Sequence, residues 1–142
     1  MGHHVNTTHG FLSSVDYVIK NNANVYQIFL QNPRCHKTKR KSDELLYQLK
    51  NKLIKYNIKL VIHASYMLNL CHPCESSIHK NAIKSLCQDL DDSVKLGALG
   101  VIIHMGKNVK KLELTVEKAI NNYVLGIKKI LKNSFNNSTL IF

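Results

Sequence analysis

The chain has 142 residues, of which 44% are hydrophobic and 20% are charged, a length and composition that suit one folded domain and exclude a disordered chain. Its 20 Lys and Arg residues outnumber its 9 Asp and Glu residues, so the formal net charge is +11. This excess favours a polyanionic partner, although the abundance of Lys over Arg, together with Asn and Ile, is also typical of an AT-rich gene.

The sequence predicts neither a membrane anchor nor a secretory leader. No apolar run reaches the roughly 18 residues that a membrane-spanning helix needs, and residues 1–6 lack the basic and apolar regions of a signal peptide. We therefore expect an intracellular protein, cytoplasmic or nuclear, without a membrane partner. Its four cysteines, Cys35, Cys71, Cys74 and Cys87, are expected as reduced thiols in that environment.

Short apolar runs rich in β-branched residues predict buried strands at 25–30, 60–63 and 101–104. Residues 2–5 form a shorter candidate strand, and a fifth strand begins at 139–142. Between the strands lie four segments with apolar residues at helical spacing. Their apolar faces are Phe11, Leu12, Val15, Val18 and Ile19; Leu45, Leu46, Leu49, Leu53 and Ile54; Ile78, Ala82, Ile83, Leu86, Leu90 and Val94; and Val116, Ile120, Tyr123, Val124, Ile127 and Leu131.

Residues at the ends of these segments support the helices. Ser42 and Thr115 are predicted N-caps, and Gly97 occupies the position of a C-cap glycine. Strands therefore alternate with helices, which indicates an α/β protein with a parallel sheet covered by helices. The pattern fits an open doubly wound sheet as well as part of a (β/α)8 barrel.

Histidines stand where three of the four strands end. The first strand ends near His3 and His4, the third on His63 and the fourth on His104. Parallel α/β folds place their functional groups at the carboxyl ends of the strands, and imidazole is the commonest protein ligand of zinc. A single histidine at such a position is more often structural. The equivalent placement of His63 and His104 makes a metal site an equal alternative.

Two further motifs have competing interpretations. The basic stretch 34–41 is either a loop that contacts phosphates beside the site or a solvated loop with a nuclear-import pattern, and charge alone favours the solvated loop. The C-x-x-C motif at 71–74 could be a redox pair, or part of a zinc knuckle with His72 and His79. Its loop position and the lack of a second C-x-x-C disfavour both roles.

Several segments, in chain order, resemble motifs of the endonuclease IV family. Taken together, the elements H-A-S-Y-x-x-N-L and Q-N-P-R are specific. The matching segments are G-H-H-V-N at 2–6 with the family's G-A-H-V-S, N-V-Y-Q-I-F at 24–29 with A-N-A-F-Q-I-F, Q-N-P-R at 31–34 with K-N-P-R, H-A-S-Y-M-L-N-L at 63–70 with H-A/D-S-Y-L-I-N-L, and L-G-A at 96–98 and I-H-M-G at 103–106 with L-G-A and F-H-P-G.

The resemblance implies a fold and an activity. The family fold is a (β/α)8 TIM barrel, of which residues 1–142 would cover the first four βα units and the start of strand five, as the N-terminal half of one domain. Family members hold three zinc ions at the carboxyl end of the barrel. They hydrolyse the phosphodiester 5′ to an abasic site in double-stranded DNA with a zinc-activated hydroxide, and leave a 3′-hydroxyl.

The resemblance also implies roles for particular residues. His63 and His104 would be two ligands of one zinc, a partial site, and no catalytic group is expected apart from metal ligands. Arg34 and Tyr66, with Met67 beside it, would enter the minor groove and hold the kinked DNA open. The two remaining predicted DNA-contacting residues, Asn32 and His4, would lie near the DNA or the metal shell.

Two departures from the family pattern leave alternatives open. Residues 105–108 read M-G-K-N where the family has P-G-S-H, and the chain ends at Phe142, one residue before an expected zinc-bridging glutamate. The complete enzyme is expected to be a monomer. As an independent product, the chain would be a non-catalytic DNA-binding remnant that self-associates through its open sheet edges. A sugar-isomerase-like metal-dependent barrel is a third hypothesis, against which the basic loop and 31–34 argue.

Overall fold

The computed structural model describes residues 2–35, 39–134 and 139–141, in which strands and helices alternate. The strands are β1 (Gly2–His4), β2 (Val25–Phe29), β3 (Lys59–His63), β4 (Val101–Ile102) and β5 (Leu140–Ile141). The helices are α1 (Phe11–Lys20), α2 (Asp43–Lys55), α3 (Ser77–Leu96) and α4 (Val116–Asn133), and a short 3-10 helix (Lys110–Leu112) precedes α4. The predicted α/β class is therefore confirmed.

The five strands form one parallel sheet in which neighbours in sequence are neighbours in space, in the order β1-β2-β3-β4-β5. A doubly wound sheet reverses its strand order at a switch point, whereas a (β/α)8 barrel adds each strand beside the last. The sequential order therefore decides between the two architectures that the sequence pattern left open. The chain forms about the first half of a barrel.

The two faces of the sheet have different environments. Tyr26, Ile28, Leu60 and Ile62 point toward the helices and are almost fully buried. The other face carries side chains such as that of Gln27, which are only partly buried. Because burial alternates along the strands, every second residue lies on the open face of the sheet. The carboxyl ends of the strands lie at one edge of this face. Within the described residues, no helix combines the length and hydrophobicity needed to cross a membrane.

The predicted helix ends are confirmed. The Ser42 hydroxyl accepts a hydrogen bond from the Leu45 N–H at 3.3 Å, and Thr115 Oγ1 accepts one from the Lys118 N–H at 3.2 Å. Gly97 ends α3 in the left-handed conformation, with φ of 66°. Ser76, which the sequence analysis did not single out, caps α3 by accepting from the His79 N–H. Each cap satisfies a backbone donor that the first turn of the helix leaves free.

Strand β4 is shorter than predicted, because it ends at Ile102 and not at residue 104. The Ile103 N–H still donates to the Ile141 carbonyl at 2.9 Å. Beyond that point the backbone of Met105 and Lys107 bonds to side chains of the preceding loop and leaves the sheet. Phe142, at the predicted end of the fifth strand, lies outside the described residues.

Helix α4 buries a different face from the predicted one. Its buried residues are Ala119, Tyr123, Gly126 and Ile130. Of the predicted face, Tyr123 is buried and Ile127 partly so, but Val116, Ile120, Val124 and Leu131 are exposed. The physical reason is close approach: a Cβ at Gly126 would lie only 2.9 Å from Leu70 Cδ2, so the small residues of α4 face the core.

Candidate functional site

The two histidines predicted as metal ligands lie side by side at one edge of the sheet. His63 is the last residue of β3, and His104 follows β4 by two residues. In the parallel register His63 lies opposite Ile102, so both segments leave the sheet at the same edge. The centroids of the two imidazole rings are 5.0 Å apart.

The environment of His63 suits a metal ligand. Its Nδ1 lies 2.7 Å from the Ala64 carbonyl oxygen, which can only accept, so Nδ1 carries the proton and Nε2 keeps a free lone pair. Burial lowers the pKa of His63, the hydrogen bond to Ala64 opposes this shift, and the nearby His104 and His4 add to the lowering. The ring is therefore held neutral with one nitrogen available, which is the state that binds a metal.

The spacing of the pair fits a shared zinc ion. Two imidazoles on one tetrahedral zinc, each with a Zn–N distance of about 2.1 Å, have ring centroids about 5 Å apart. Among residues 2–35, 39–134 and 139–141, no group of three His, Cys, Asp or Glu side chains is placed to hold a metal. His63 and His104 thus fit as two ligands of a site that needs further ligands.

An aromatic cluster surrounds the histidine pair. Tyr66 stacks on His104 with ring centroids 5.5 Å apart and meets His63 edge-on at 5.2 Å. Phe29 lies between His4 and His63, at 4.9 Å and 4.8 Å from their centroids. His4 also bonds Gln27 through Nδ1. The structure therefore brings the predicted residues His4, His63, Tyr66 and His104 into one contiguous surface.

Hydrogen bonds tie the loop after β2 to the loop after β3. The Ser65 hydroxyl lies 3.0 Å from the Pro33 carbonyl oxygen and 3.3 Å from that of Cys35, and the Tyr66 N–H donates to the Pro33 carbonyl at 3.1 Å. Asn32 Oδ1 accepts the Arg34 N–H at 2.9 Å, which closes a local turn. Asn32 therefore shapes the loop that presents Arg34. The basic stretch continues through 36–38, which lie outside the described residues.

Side chains predicted to contact DNA are exposed at this edge. Arg34 and Asn32 are exposed, Tyr66 is 57% exposed, and Met67 is 38% exposed. An open cleft of about 550 Å³ lies on the side of His4, Phe29, Asn32 and Lys41, and another of about 460 Å³ lies on the side of Met67, Asn69 and Lys107. His4 lines the first cleft, and Tyr66 and His104 line the second, so the two clefts flank the aromatic cluster.

The two cysteines of the C-x-x-C motif have separate partners. The Cys71 thiol donates to the Met105 carbonyl at 3.5 Å, and the Cys74 thiol donates to Asn122 Oδ1 at the same distance. Burial raises the pKa of Cys71, so the thiol form is favoured over the reactive thiolate. His79, the more distant histidine of the hypothetical knuckle, is buried with Nδ1 bonded to the Leu70 carbonyl. Each cysteine therefore has a structural contact with a different segment, Met105 for Cys71 and Asn122 for Cys74.

Ser65 and Asn69 are functional candidates that the sequence analysis did not single out. Both lie inside the H-A-S-Y-x-x-N-L segment, and both bond the backbone of a neighbouring loop. Polar residues that alternate with buried Ala64, Leu68 and Leu70 in a loop were the available signal. The sequence alone does not show which backbone groups they reach.

Comparison with known proteins gives a consistent set of relatives, although no protein-family model matches the chain. A protein of Acanthamoeba polyphaga mimivirus that carries the name endonuclease 4 is 41% identical over 99% of this chain and 46% of its own length. A protein of Symbiobacterium thermophilum with the same name is 32% identical over 77% of this chain and 39% of its own length. The chain thus spans about half the length, or less, of the curated relatives it matches.

Solved structures show the same fold. The crystal structure of endonuclease IV from Thermus thermophilus matches with a TM-score of 0.68 and 24% identity, over 92% of this chain and 45% of that chain. An L-ribulose 3-epimerase structure matches with a TM-score of 0.72 but only 11% identity, over 99% of this chain and 48% of that one. At these identities the likeness establishes the fold alone.

Proposed function

The chain belongs to the endonuclease IV family, and on that premise we propose that it forms the first half of a barrel enzyme that cuts DNA at abasic sites. The proposed reaction is hydrolysis of the phosphodiester 5′ to the abasic deoxyribose, which leaves a 3′-hydroxyl. The observation that carries the proposal is the pairing of the His63 and His104 rings, with centroids 5.0 Å apart, at the carboxyl edge of the sheet.

In this proposal His63 and His104 hold one zinc ion through ring nitrogens, and the remaining ligands come from the half of the barrel that this chain does not span. Bound zinc would polarise the phosphate and activate water for attack at neutral pH. The Ala64 carbonyl keeps the His63 ring oriented so that Nε2 faces the site. Tyr66, stacked on His104, limits the rotation of that exposed ring.

The exposed residues of the same edge are proposed to bind the damaged duplex. An abasic site lacks a base, so extruding its nucleotide costs less and side chains can fill the gap in the stack. Tyr66 and Met67 supply the apolar surface, and Arg34 supplies a charge for a phosphate. Because Ser65 bonds the backbone on both sides of Arg34, the loops that present Arg34 and Tyr66 are linked to each other. His4 and Asn32 are assigned to the rim of the metal shell and to support of the Arg34 loop.

The test is incision of an abasic duplex by a chimera that joins this chain to the second half of the mimivirus relative. In the chimera, His63→Ala and His104→Ala are each expected to reduce the incision rate by roughly 100-fold or more, because each removes a metal ligand. His3→Ala is the matched control, since its ring packs on Tyr17 at the other side of β1. Full incision by the His63→Ala chimera would refute the ligand assignment.

A second candidate function is a DNA-binding remnant without catalysis, because the described residues bring only two ligands together. In that case the 142-residue chain would bind an abasic duplex more tightly than an intact one, and His63→Ala would leave this preference unchanged. An inactive chimera with such binding would favour the remnant.

The sugar-isomerase-like barrel is a third candidate, although the L-ribulose 3-epimerase structure, at 11% identity, shares only the fold with this chain. This candidate predicts sugar-isomerase activity of the complete protein, without incision of the abasic duplex. The 41% identity with the mimivirus relative favours the endonuclease.

A further inference from the structure

The segment 105–107, which follows His104, is bound by side chains of the loop after β3. Gly106 has φ of 91°, which L side chains rarely adopt. His104 itself is two residues beyond the end of β4. Its position therefore depends on the Ile103 N–H, which still bonds the sheet, and on the contacts of segment 105–107.

Asn69 binds segment 105–107 through both the oxygen and the nitrogen of its side-chain amide. Its Nδ2 donates to the Lys107 carbonyl at 2.7 Å, and its Oδ1 accepts the Lys107 N–H at 3.1 Å. Asn69 thus bonds both the N–H and the carbonyl of Lys107, as the backbone of a neighbouring strand would.

The orientation of the Asn69 amide is itself determined. Oδ1 also accepts the Cys71 N–H at 3.0 Å, so it faces two backbone donors. A flipped amide would direct its NH2 group at both donors and its oxygen at the Lys107 carbonyl oxygen, leaving no hydrogen bond at any of the three. The Cys71 thiol adds a weaker bond to the Met105 carbonyl, 3.5 Å away.

Packing at Gly106 supports the same conclusion. A Cβ at this position would lie 2.7 Å from Asn69 Oδ1 and 3.1 Å from Cys71 Sγ. Position 106 therefore favours glycine for two reasons, its positive φ and its close approach to Asn69. The side chain of Asn69 is thus packed directly against the backbone of segment 105–107.

We propose that Asn69 is a positioning residue that holds His104 beside His63 through its hydrogen bonds to the backbone N–H and carbonyl of Lys107. Along the described chain, the Ile103 N–H bonds the sheet and Lys107 bonds Asn69, so His104 lies between two anchors three residues or fewer away. Without the bonds from Asn69, the backbone after His104 would keep only the weaker Cys71–Met105 hydrogen bond, and His104 would be held less firmly beside His63. The link to catalysis rests on the proposed function, but the positioning itself does not.

The proposal is tested by NMR on the 142-residue chain, with neither metal nor DNA present. Asn69→Ala is compared with Asn108→Ala, which removes a single 3.1 Å bond from an asparagine amide to the Leu114 carbonyl in the same loop. Asn69→Ala is expected to speed hydrogen exchange of the Lys107 amide by about tenfold or more, and to abolish the NOE between the His63 and His104 rings. Asn108→Ala should leave both intact.

Asn69→Asp separates positioning from the loss of side-chain volume, because it keeps the size and replaces the donor with an oxygen that repels the Lys107 carbonyl oxygen, which accepts the Asn69 Nδ2 bond at 2.7 Å. The Lys107 amide should then exchange faster than in the parent, as in Asn69→Ala. Unchanged exchange at Lys107 and a retained ring NOE in Asn69→Ala would overturn the proposal. If Asn69→Ala loosens the whole loop, the variant Gly106→Ala provides a second test. Gly106→Ala should destabilise the chain less in the Asn69→Ala background, where the 2.7 Å contact with Asn69 is gone. An equal destabilisation in both backgrounds would also overturn the proposal. Because these readouts need no activity, failure of the proposed function is detected separately.

Discussion

Asp89 and Asp92 are two carboxylates of α3 that are buried almost completely, at 1% and 0% exposure. One oxygen of each, Asp89 Oδ1 and Asp92 Oδ2, makes no hydrogen bond within the described residues. Burial and, to a smaller extent, the charge of Asp92 raise the pKa of Asp89 to about 7, because Gln31 and Lys41 only partly offset these two effects. The two carboxylates also act on Lys41, at the end of the basic stretch: burial lowers the pKa of Lys41, and the charges of Asp92 and Asp89 oppose that shift.

The raised pKa of Asp89 predicts a stability that falls as pH rises. Between its ordinary value of 3.8 and about 7, the unfolded chain has lost the proton while the folded chain keeps it. The folded state therefore binds more protons, and the free energy of unfolding decreases through this window by an amount on the order of a few kcal/mol. Asp89→Asn cannot ionise, so it should be more stable than the parent at pH 8, with the difference vanishing near pH 4.

Urea unfolding at pH 4, 6 and 8 measures this effect. Asp91→Asn is the control: because Asp91 is more exposed than Asp89, its substitution should change the pH dependence of stability less. A parent whose stability rises steadily from pH 4 to pH 8, in parallel with Asp89→Asn, would contradict the assignment.

At the scale of single elements, the N-cap of α3 offers the cleanest comparison. Ser76 accepts the His79 N–H at 3.2 Å, whereas its neighbour Ser77 is exposed in the first turn. Ser76→Ala should lower the free energy of unfolding by about 1 kcal/mol, because it leaves that donor without its partner. Ser77→Ala is the matched control and should change stability little. Chemical denaturation of both variants measures the difference, and equal effects would show that the cap contributes nothing.

Helix α4 shows why an element can be predicted while its buried face is not. Two apolar stripes run along it, one through Val116, Ile120 and Val124 and one through Tyr123 and Ile130. The predicted face combined residues of both stripes, because apolar spacing alone does not separate them. Packing favours the second, because Gly126 allows Leu70 and His79 to approach closely. The spacing of apolar residues thus predicts the helix, whereas the fit against neighbouring residues determines which face of the helix is buried.

At the scale of the whole molecule, the net charge of +11 comes from basic residues spread along the chain, so charge alone does not locate an interface. Only the carboxyl edge carries the proposed site. If Arg34 contacts a phosphate there, Arg34→Ala should reduce the slope of log K against log salt concentration by about 1 for binding to an abasic duplex. Lys20→Ala is the control, because Lys20 ends α1 at the opposite edge. Fluorescence anisotropy at several salt concentrations measures the slopes, and equal slopes for the two variants would remove Arg34 from the interface.

The sequence by itself determined the alternation of elements, the helix caps at Ser42 and Thr115, and the strand-end placement of His63. These features depend on local chemistry: β-branched runs, hydroxyl acceptors before a helix, and the period of the apolar residues. The motifs at 31–34 and 63–70 also identified the family, because they preserve residue types in order along the chain.

Only the tertiary structure decided the sheet order, the buried face of α4, the protonation of His63 at Nδ1 and the hydrogen bonds of Asn69 to Lys107. Each of these depends on groups that are far apart in sequence. Asn69 and Lys107 are 38 residues apart, and no local pattern specifies which backbone groups an amide will reach. Parallel packing brings consecutive loops to one edge, and there hydrogen-bond geometry determines the partners.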